Sequence, residues 1–369
     1  MRRVLVARLD SAGDVLLAGP AIRAVRAGAD HLTLLVGPRG RQAAGLLPGV
    51  DDVLVWHCPW IDATPPPVRR GDIDRLIDRL ARGRYDDALI LTSSHQSPLP
   101  TALLLRMAGV PRIGAASRDY PGSLLDVRHR LPEHGPHEHE VERALSTAAA
   151  FGYPRPAGDD GRLAVRGPLP DPTPLTGGGR YVVLHPGTSV PARGWPARRF
   201  AELAGALATR GLSVVVTGGP DEVSLTATVR AAGVRVRDLG GRTDLPTLAG
   251  VLAGAAAVVV ANTGPAHLAA AVGAPVVSLF APTVPAERWA PYTARRILLG
   301  DQTIGCAGCR ARACPVPGHP CLGAVSVADA LAAVAELFAA TPVPGEAPVP
   351  PARTRCCEPT GTAPPGGAT

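Results

Sequence analysis

Three strand-to-helix junctions in the second half of this 369-residue chain carry side chains suited to a charged, hydroxylated ligand. "VVLHPGTSVPARGW" offers the Thr188 and Ser189 hydroxyls, free backbone N–H groups, and Arg193 a few residues on. Hydroxyls beside a guanidinium match diphosphate oxygens, because arginine forms charge-assisted, two-pronged hydrogen bonds. "VVVANTGPAHLAAA" sets Asn262, Thr263 and Gly264 in a turn, with Pro265 and His267 in the first helical turn behind it. The free N–H groups of such a helix start attract anions, and proline there loses no bond. "TGGPDEV" puts Glu222 after a third strand end, where a carboxylate can accept from ribose hydroxyls. Each turn alone can be plain connection chemistry. If the strands are parallel, the junctions share one sheet edge, and a nucleotide lying across them follows from the residues themselves.

The first half poses the opposite question. In "LDSAGDVLLAGP" (9–20) an apolar strand meets a helix, where a dinucleotide fold would carry G-x-G-x-x-G around a pyrophosphate. This junction has Gly13 and then a carboxylate, Asp14. The helix dipole favours the ionised form there. Asp14 is therefore a helix cap or a base, and its position alone leaves both open.

The elements that must hold these groups are short β-like runs alternating with amphipathic helices along most of the chain, the signature of βαβ units and parallel sheets. The first half reads as strands at "RVLVARL", "HLTLLV", "DDVLVWH", "DDALIL" and "PRIGA", with helices at 14–27, 71–83, 97–109 and 138–151. "LPDPTPLTGGG" (169–179) reads as an interdomain linker, and the pattern then restarts. Strands follow at "RYVVLHPG", "LSVVVTGG", "VRVRDLGG", "AAVVVANTG" and "PVVSLFAP", with helices at 196–210, 221–232, 244–254 and 265–272. The expected organisation is a first domain over 1–170, a second over 171–340, and a disordered Pro/Gly-rich tail over 341–369. Two such halves place a ligand cleft between the carboxyl ends of their sheets.

All 38 basic residues are arginine, the formal charge is +7 and the pI is about 9.4. Anionic partners fit that balance: nucleotide phosphates, phosphorylated glycans, or an anionic membrane face, with no motif for nucleic acid. The apolar run after "MRR" is too short for a signal peptide, and no run reaches the ~18 residues of a membrane span. The expectation is a cytoplasmic protein, peripheral on the membrane at most.

The segments "RLDSAGDVLLAGPAIRAVR", "HEVERALSTAAAFG", "VVLHPGTSVPARGWPARRFAELAGAL", "VVVTGGPDE", "LGGRTDLPTLAGVLAGA" and "ANTGPAHLAAAVGAPVVSLFAPTVPAERWAPY" occur in that order and cover most of 1–340. Together they resemble glycosyltransferase family 9, the ADP-heptose:lipopolysaccharide heptosyltransferases. The resemblance implies an α/β GT-B fold of two Rossmann-like domains with parallel sheets facing a central cleft, acceptor on the first and nucleotide sugar on the second. It implies an inverting, metal-independent transfer without a cofactor, from ADP-heptose or a related donor to a hydroxyl of a glycan, glycolipid or small-molecule acceptor. By position, Asp14 would be the general base. Thr188, Ser189 and Arg193 would hold the diphosphate, Glu222 the ribose, the backbone near Thr243 the nucleobase, and Asn262, Thr263, Gly264 and His267 the diphosphate and sugar. Arg8, ending the first strand, would orient Asp14 or touch the acceptor, and Arg69, Arg70 and Arg112 would favour an anionic acceptor. The chain departs from the family at Asn262, where many members carry Asp, so the resemblance leaves the donor sugar open. A nucleotide-sugar epimerase of the same fold, and a nucleotide-sugar-binding protein without turnover, are the alternatives.

Other clusters have simpler readings. Cys306, Cys309, Cys314 and Cys321, with His319 nearby, hold one C-x2-C half-site but no second. Reduced thiols in a loop, or an opportunistic disulfide, account for them better than zinc, and Cys356 and Cys357 lack an evident partner. His134, His137 and His139 form a metal-like tract at a helix start, for which a structural role is the expectation. Asp72 and Asp74 precede a helical run, where capping explains them.

Overall fold

The computed structural model describes residues 1–130, 138–233 and 235–339. The 341–369 tail, Cys356, Cys357, His134 and His137 lie outside them. Runs such as "VLVA" and "VVVA" are apolar at successive positions, so both faces of the strand must be covered, the condition of a parallel sheet between helical layers. Val4, Leu5, Val6, Ala7 and Ala257 to Ala261 are accordingly inaccessible to solvent.

The first sheet holds β1 (Arg3–Arg8), β2 (His31–Val36), β3 (Asp52–Val55), β4 (Asp87–Ile90), β5 (Arg112–Ala116) and β6 (Val127–His129) in the order β3-β2-β1-β4-β5-β6. The second holds β7 (Tyr181–His185), β8 (Ser213–Gly218), β9 (Val236–Gly240), β10 (Ala257–Ala261), β11 (Val276–Leu279) and β12 (Arg296–Leu299), in the order β12-β11-β10-β7-β8-β9. Every pairing is parallel. Counted from its own first strand, each sheet has the Rossmann order, with its switch point between the first and fourth strands. Five strands per half were expected, and β6 and β12 complete each edge. Both are short, and "VRH" and "RILL" carry too little pattern to stand out from their surroundings.

The helix expected at 14–27 is two, Ala12–Leu17 and Gly19–Ala27. Pro20 cannot donate to the turn before it, so the second helix starts afresh. The stretch read as an interdomain linker contains a short helix, Thr173–Thr176. Residues ahead of it stay with the first half: Arg23 pairs with Asp159 at 2.7 Å, and Arg166 donates to the Leu47 carbonyl at 2.6 Å.

The halves meet at two glycines. A Cβ on Gly13 would lie 3.0 Å from His267 Cδ2 and 3.2 Å from Gly264 Cα. Hydrogen at Gly13 therefore lets the Ala12–Leu17 and Gly264–Ala271 helices approach so closely, whereas a Cβ on Gly264 would meet Gly13 N at an ordinary 3.5 Å. Leu245 N donates to Gln42 Oε1 at 2.8 Å, and His139 Nε2 meets the Ala290 carbonyl at 2.9 Å, tying the halves together at further points.

Candidate active site

A cavity of about 810 Å³ opens where the two switch points face each other. Its first wall is built from the turns after β1 and β4: Asp10, Ser11 and Asp14 on one, Ser93, Ser94, His95 and Gln96 on the other. Its second wall comes from the turns after β7 and β10, with Ser189, Arg193, Asn262, Thr263, Gly264 and His267. Arg39 and Arg118 line the first-domain side.

Asp14 is held from two sides. Its Oδ1 takes Arg8 Nη2 at 3.1 Å, and its Oδ2 takes the Ser11 backbone N–H at 3.1 Å and the Ser11 hydroxyl at 2.6 Å. Burial opposes its charge. The Arg8 guanidinium, the Ser11 hydroxyl and His267 outweigh that and hold the carboxyl below the usual aspartate value. Capping and exposure to the cleft thus coexist: one carboxylate seals the helix start and lines the cavity.

Across the cavity, Arg193 Nε donates to Thr283 Oγ1 at 3.2 Å and Nη1 reaches the Asn262 carbonyl at 3.4 Å. Asn262 Nδ2 and His267 Nδ1 are both buried with no hydrogen-bond partner among the described residues. Two orphaned polar nitrogens beside a buried guanidinium form a wall that a ligand with oxygen acceptors would complete. Burial brings His267 down to about 4, with Asp14 opposing and Arg193 reinforcing, so its ring is neutral at pH 7.

The remaining candidates fall elsewhere. Arg8 is 4% exposed and absent from the lining; it binds Asp14 and Ser93 from below, an arrangement that fits the orienting role better than an acceptor contact. Thr188 turns its hydroxyl onto Val190, accepting its N–H and donating to its carbonyl, both at 3.2 Å. Glu222 accepts from Gly219 N at 2.7 Å, sits against Gly187, and is not among the residues that line the cavity. Thr243 lies just ahead of the Leu245–Ala253 helix, which Asp244 caps, and does not line the cavity. Arg69 and Arg70 begin the surface Arg70–Gly83 helix, and the Arg70 side chain is fully in solvent reach beside Asp74. Arg112 opens β5 at the amino edge of the sheet, opposite the cleft, and pairs with Asp87 at 3.1 Å. Its position is incompatible with an acceptor contact.

Asp72 and Asp74 lie inside the helix rather than before it, where they pair with Arg75 and Arg70 in place of capping. His139 caps the Glu140–Ala150 helix by accepting from Val141 N at 3.2 Å, and burial drives it down to about 3. The thiols of Cys306, Cys309, Cys314 and Cys321 are free. Among the described residues no three His, Cys, Asp or Glu side chains are grouped to hold a metal ion. His319 instead bonds the Ala192 carbonyl at 2.9 Å, docking this loop beside Arg193.

Asp10, the Ser93–Gln96 turn, Arg39 and Arg118 were not anticipated. "TSSHQS" follows an expected strand, and the signal that could have found it is strand order, since β4 is the switch-point neighbour of β1.

Twin Rossmann sheets sharing one cleft between their switch points define the GT-B fold. The model of glycosyltransferase family 9 (heptosyltransferase) matches residues 73–319, and the chain belongs to this family. It is 30% identical to lipopolysaccharide heptosyltransferase 1 of Pseudomonas aeruginosa over 338 residues, covering 85% of this chain and 87% of that one. With lipopolysaccharide heptosyltransferase 1 of Escherichia coli K12 it shares 26% over 292 residues, covering 77% and 89%. Among solved structures, E. coli ADP-heptose lps heptosyltransferase II superposes with a TM-score of 0.70 at 20% identity, covering 92% and 98%. An E. coli heptosyltransferase with ADP-2-deoxy-2-fluoro heptose gives 0.68 at 22% identity, covering 90% and 99%. No helix among the described residues is long and apolar enough to cross a membrane.

Proposed function

We propose that this enzyme transfers heptose, or a related sugar, from an ADP-sugar to a hydroxyl of a glycolipid acceptor, with inversion and without a metal. The observation that carries this reading is the facing of Asp14 and the Arg193–Asn262–His267 wall across one cavity. Asp14 takes the proton of the acceptor hydroxyl as that oxygen forms its bond to the anomeric carbon. On the far side the bond from carbon to phosphate oxygen breaks, and its electron pair leaves with the diphosphate. A base on one wall and charge-stabilising donors on the other is the geometry of an in-line, inverting displacement. Arg193 and the N–H groups at Thr263 and Gly264 supply the electrostatic support that a cation gives in other transferases. Similarity to a lipopolysaccharide heptosyltransferase and to a heptosyltransferase bound to an ADP-heptose analogue supports the substrate classes.

Acceptor-dependent release of ADP from ADP-heptose tests the reading. Binding without turnover, or sugar isomerisation without an acceptor, would overturn it. Arg193→Ala is expected to raise the donor Kd ~10–100-fold, the worth of a charged hydrogen bond at ~1.5–3 kcal/mol. Calorimetric titration with ADP reads this directly, and an unchanged Kd removes Arg193 from the donor site.

An anionic acceptor is supported by Arg39 and Arg118 on the first-domain wall. Replacing both with Gln should raise the acceptor KM ~10-fold or more, since each lost ionic hydrogen bond costs ~1.5–3 kcal/mol. Neutralising Arg69 and Arg70 should leave KM unchanged.

Peripheral contact with an anionic membrane is supported by an apolar surface on the acceptor domain. Leu103 and Met107, one turn apart on the Leu99–Met107 helix, are 47% and 59% exposed, and Tyr120, two residues past Arg118, is 84% exposed. Leu103→Glu with Met107→Glu should cut sedimentation with anionic vesicles ~10-fold or more, given ~1.5–3 kcal/mol per buried apolar side chain. Undiminished sedimentation rules this surface out.

A further inference from the structure

Two carboxylates compete for one buried cation. Arg8 Nε lies 3.0 Å from Asp10 Oδ2, and Arg8 Nη2 lies 3.1 Å from Asp14 Oδ1. The Asp10 side chain is only 8% exposed, so these charges interact with little screening. Asp10 is also fixed from outside the pair, because Gln96 Nε2 donates to its Oδ1 at 2.5 Å from the turn after β4. Both carboxylates line the cavity.

We propose that Asp10 is a positioning residue for transfer: when ionised, it draws the Arg8 charge off Asp14 and makes Asp14 the stronger proton acceptor. This inference rests on Asp14 being the general base. With Asp10 neutral, the full guanidinium charge falls on Asp14, and its carboxylate holds a proton too weakly to assist the acceptor hydroxyl. With Asp10 ionised, Arg8 is shared and a second negative charge faces Asp14, so a proton arriving there is better held. No net proton is gained or lost by Asp10 in the step; it sets the field in which Asp14 works.

The groups that face Asp10 are Arg8 beside it on the chain, Asp14 from the first helix, Gln96 from the β4 turn, and Glu140 from the Glu140–Ala150 helix. The Cys58 thiol, pushed up to about 12 by burial, stands on the β3 side and is neutral. Burial is the largest influence on Asp10; Asp14 and Glu140 add to it, and Arg8 and Gln96 oppose it, leaving Asp10 at about 6. The pair titrates as a unit, so kinetics would read a shared limb rather than a private one.

The test is the pH dependence of kcat in the full-length enzyme, with ADP-heptose and a glycolipid acceptor. The wild type should gain activity through an acid limb near 6. Asp10→Asn should lose that limb and turn over ~10-fold more slowly at neutral pH, the equivalent of about one pK unit of basicity, while its Kd for ADP stays the same. Asp10→Glu should restore the limb. Gln96→Leu leaves the carboxylate but removes its amide donor, so the limb should move to higher pH, and this variant carries the test if Asp10→Asn does not fold. An Asp10→Asn enzyme with the wild-type profile, or a Gln96→Leu limb that does not move, overturns the inference. Activity surviving in Asp14→Asn would instead remove the base on which it rests, so the two failures are separable.

Discussion

Asp14→Asn should lower kcat ~10²–10⁴-fold while leaving ADP affinity close to that of the wild type. The substitution is chosen because Asp14 has two roles that must be told apart. As a cap it accepts from the Ser11 backbone N–H and hydroxyl through Oδ2, and an asparagine oxygen can do the same. As a base it must take a proton from the acceptor, which an amide cannot do. Loss of the cap alone would cost about 1 kcal/mol of stability and would leave turnover intact. Asparagine also removes the charge that Arg8 faces at Oδ1, while Asp10 remains beside the guanidinium, so the expected pattern is a lowered melting temperature with a still folded enzyme and a collapsed kcat. Single-turnover measurement at saturating donor isolates the chemical step, and a fully active Asp14→Asn enzyme would falsify the assignment. Wild-type stability carries a matching signature. The Asp14 carboxyl is held below its usual value in the folded enzyme, so its contribution is present above the unfolded pKa and is lost as pH falls through the folded one.

Arg8→Met should be the most damaging single change to the fold of the site. Arg8 is 4% exposed and joins Asp14, Asp10 and Ser93. Methionine matches its stem but leaves two buried carboxylates facing each other without a cation. Removing one partner of a buried ion pair costs ~3–5 kcal/mol, and at roughly 2–4 °C per kcal/mol this lowers Tm by about 6–20 °C. The deficit should depend on pH with a definite sign. Without Arg8, both carboxyl pKa values rise above their unfolded values, so the variant gains stability as pH falls and both groups become neutral. Its Tm gap to the wild type should narrow between neutral and mildly acidic pH. Calorimetry across that range checks this, and an equal gap at every pH would show that lost packing, not stranded charge, explains the defect. Activity should fall with the same change, because Asp14 loses the group that fixes its orientation.

Much of this was legible in the residues. Unbroken apolar runs at "VLVA", "VVLH" and "VVVA" can be buried on both faces only in a parallel sheet, and the intervening amphipathic helices supply the cover. The restart of the pattern after 179 pointed to a second sheet, and Asp14, Arg193 and Asn262, each singled out at a strand-to-helix junction, line one cavity. The edge strands β6 and β12 escaped, whereas β3, equally short and at an edge, was carried by the apolar run in "DDVLVWH". Asp10 escaped as well: a lone aspartate in a turn looks like any turn residue until its neighbours are known.

What the sequence determined by itself was local: which runs are strands, which junctions carry donors or carboxylates, and the family to which those segments belong. Tertiary structure alone decided which junctions meet. Strand order brings the turns after β1, β4, β7 and β10 to one cavity and leaves Glu222, Thr243 and Arg112 outside its lining. The bare backbone of Gly13 then lets two helices come close enough to set Asp14 opposite His267 and Arg193. Hydrophobic periodicity is a property of neighbours along the chain. The sharing of Arg8 between Asp10 and Asp14, and with it the basicity of the site, depends on burial and on distances across the fold, which no run of neighbouring residues encodes.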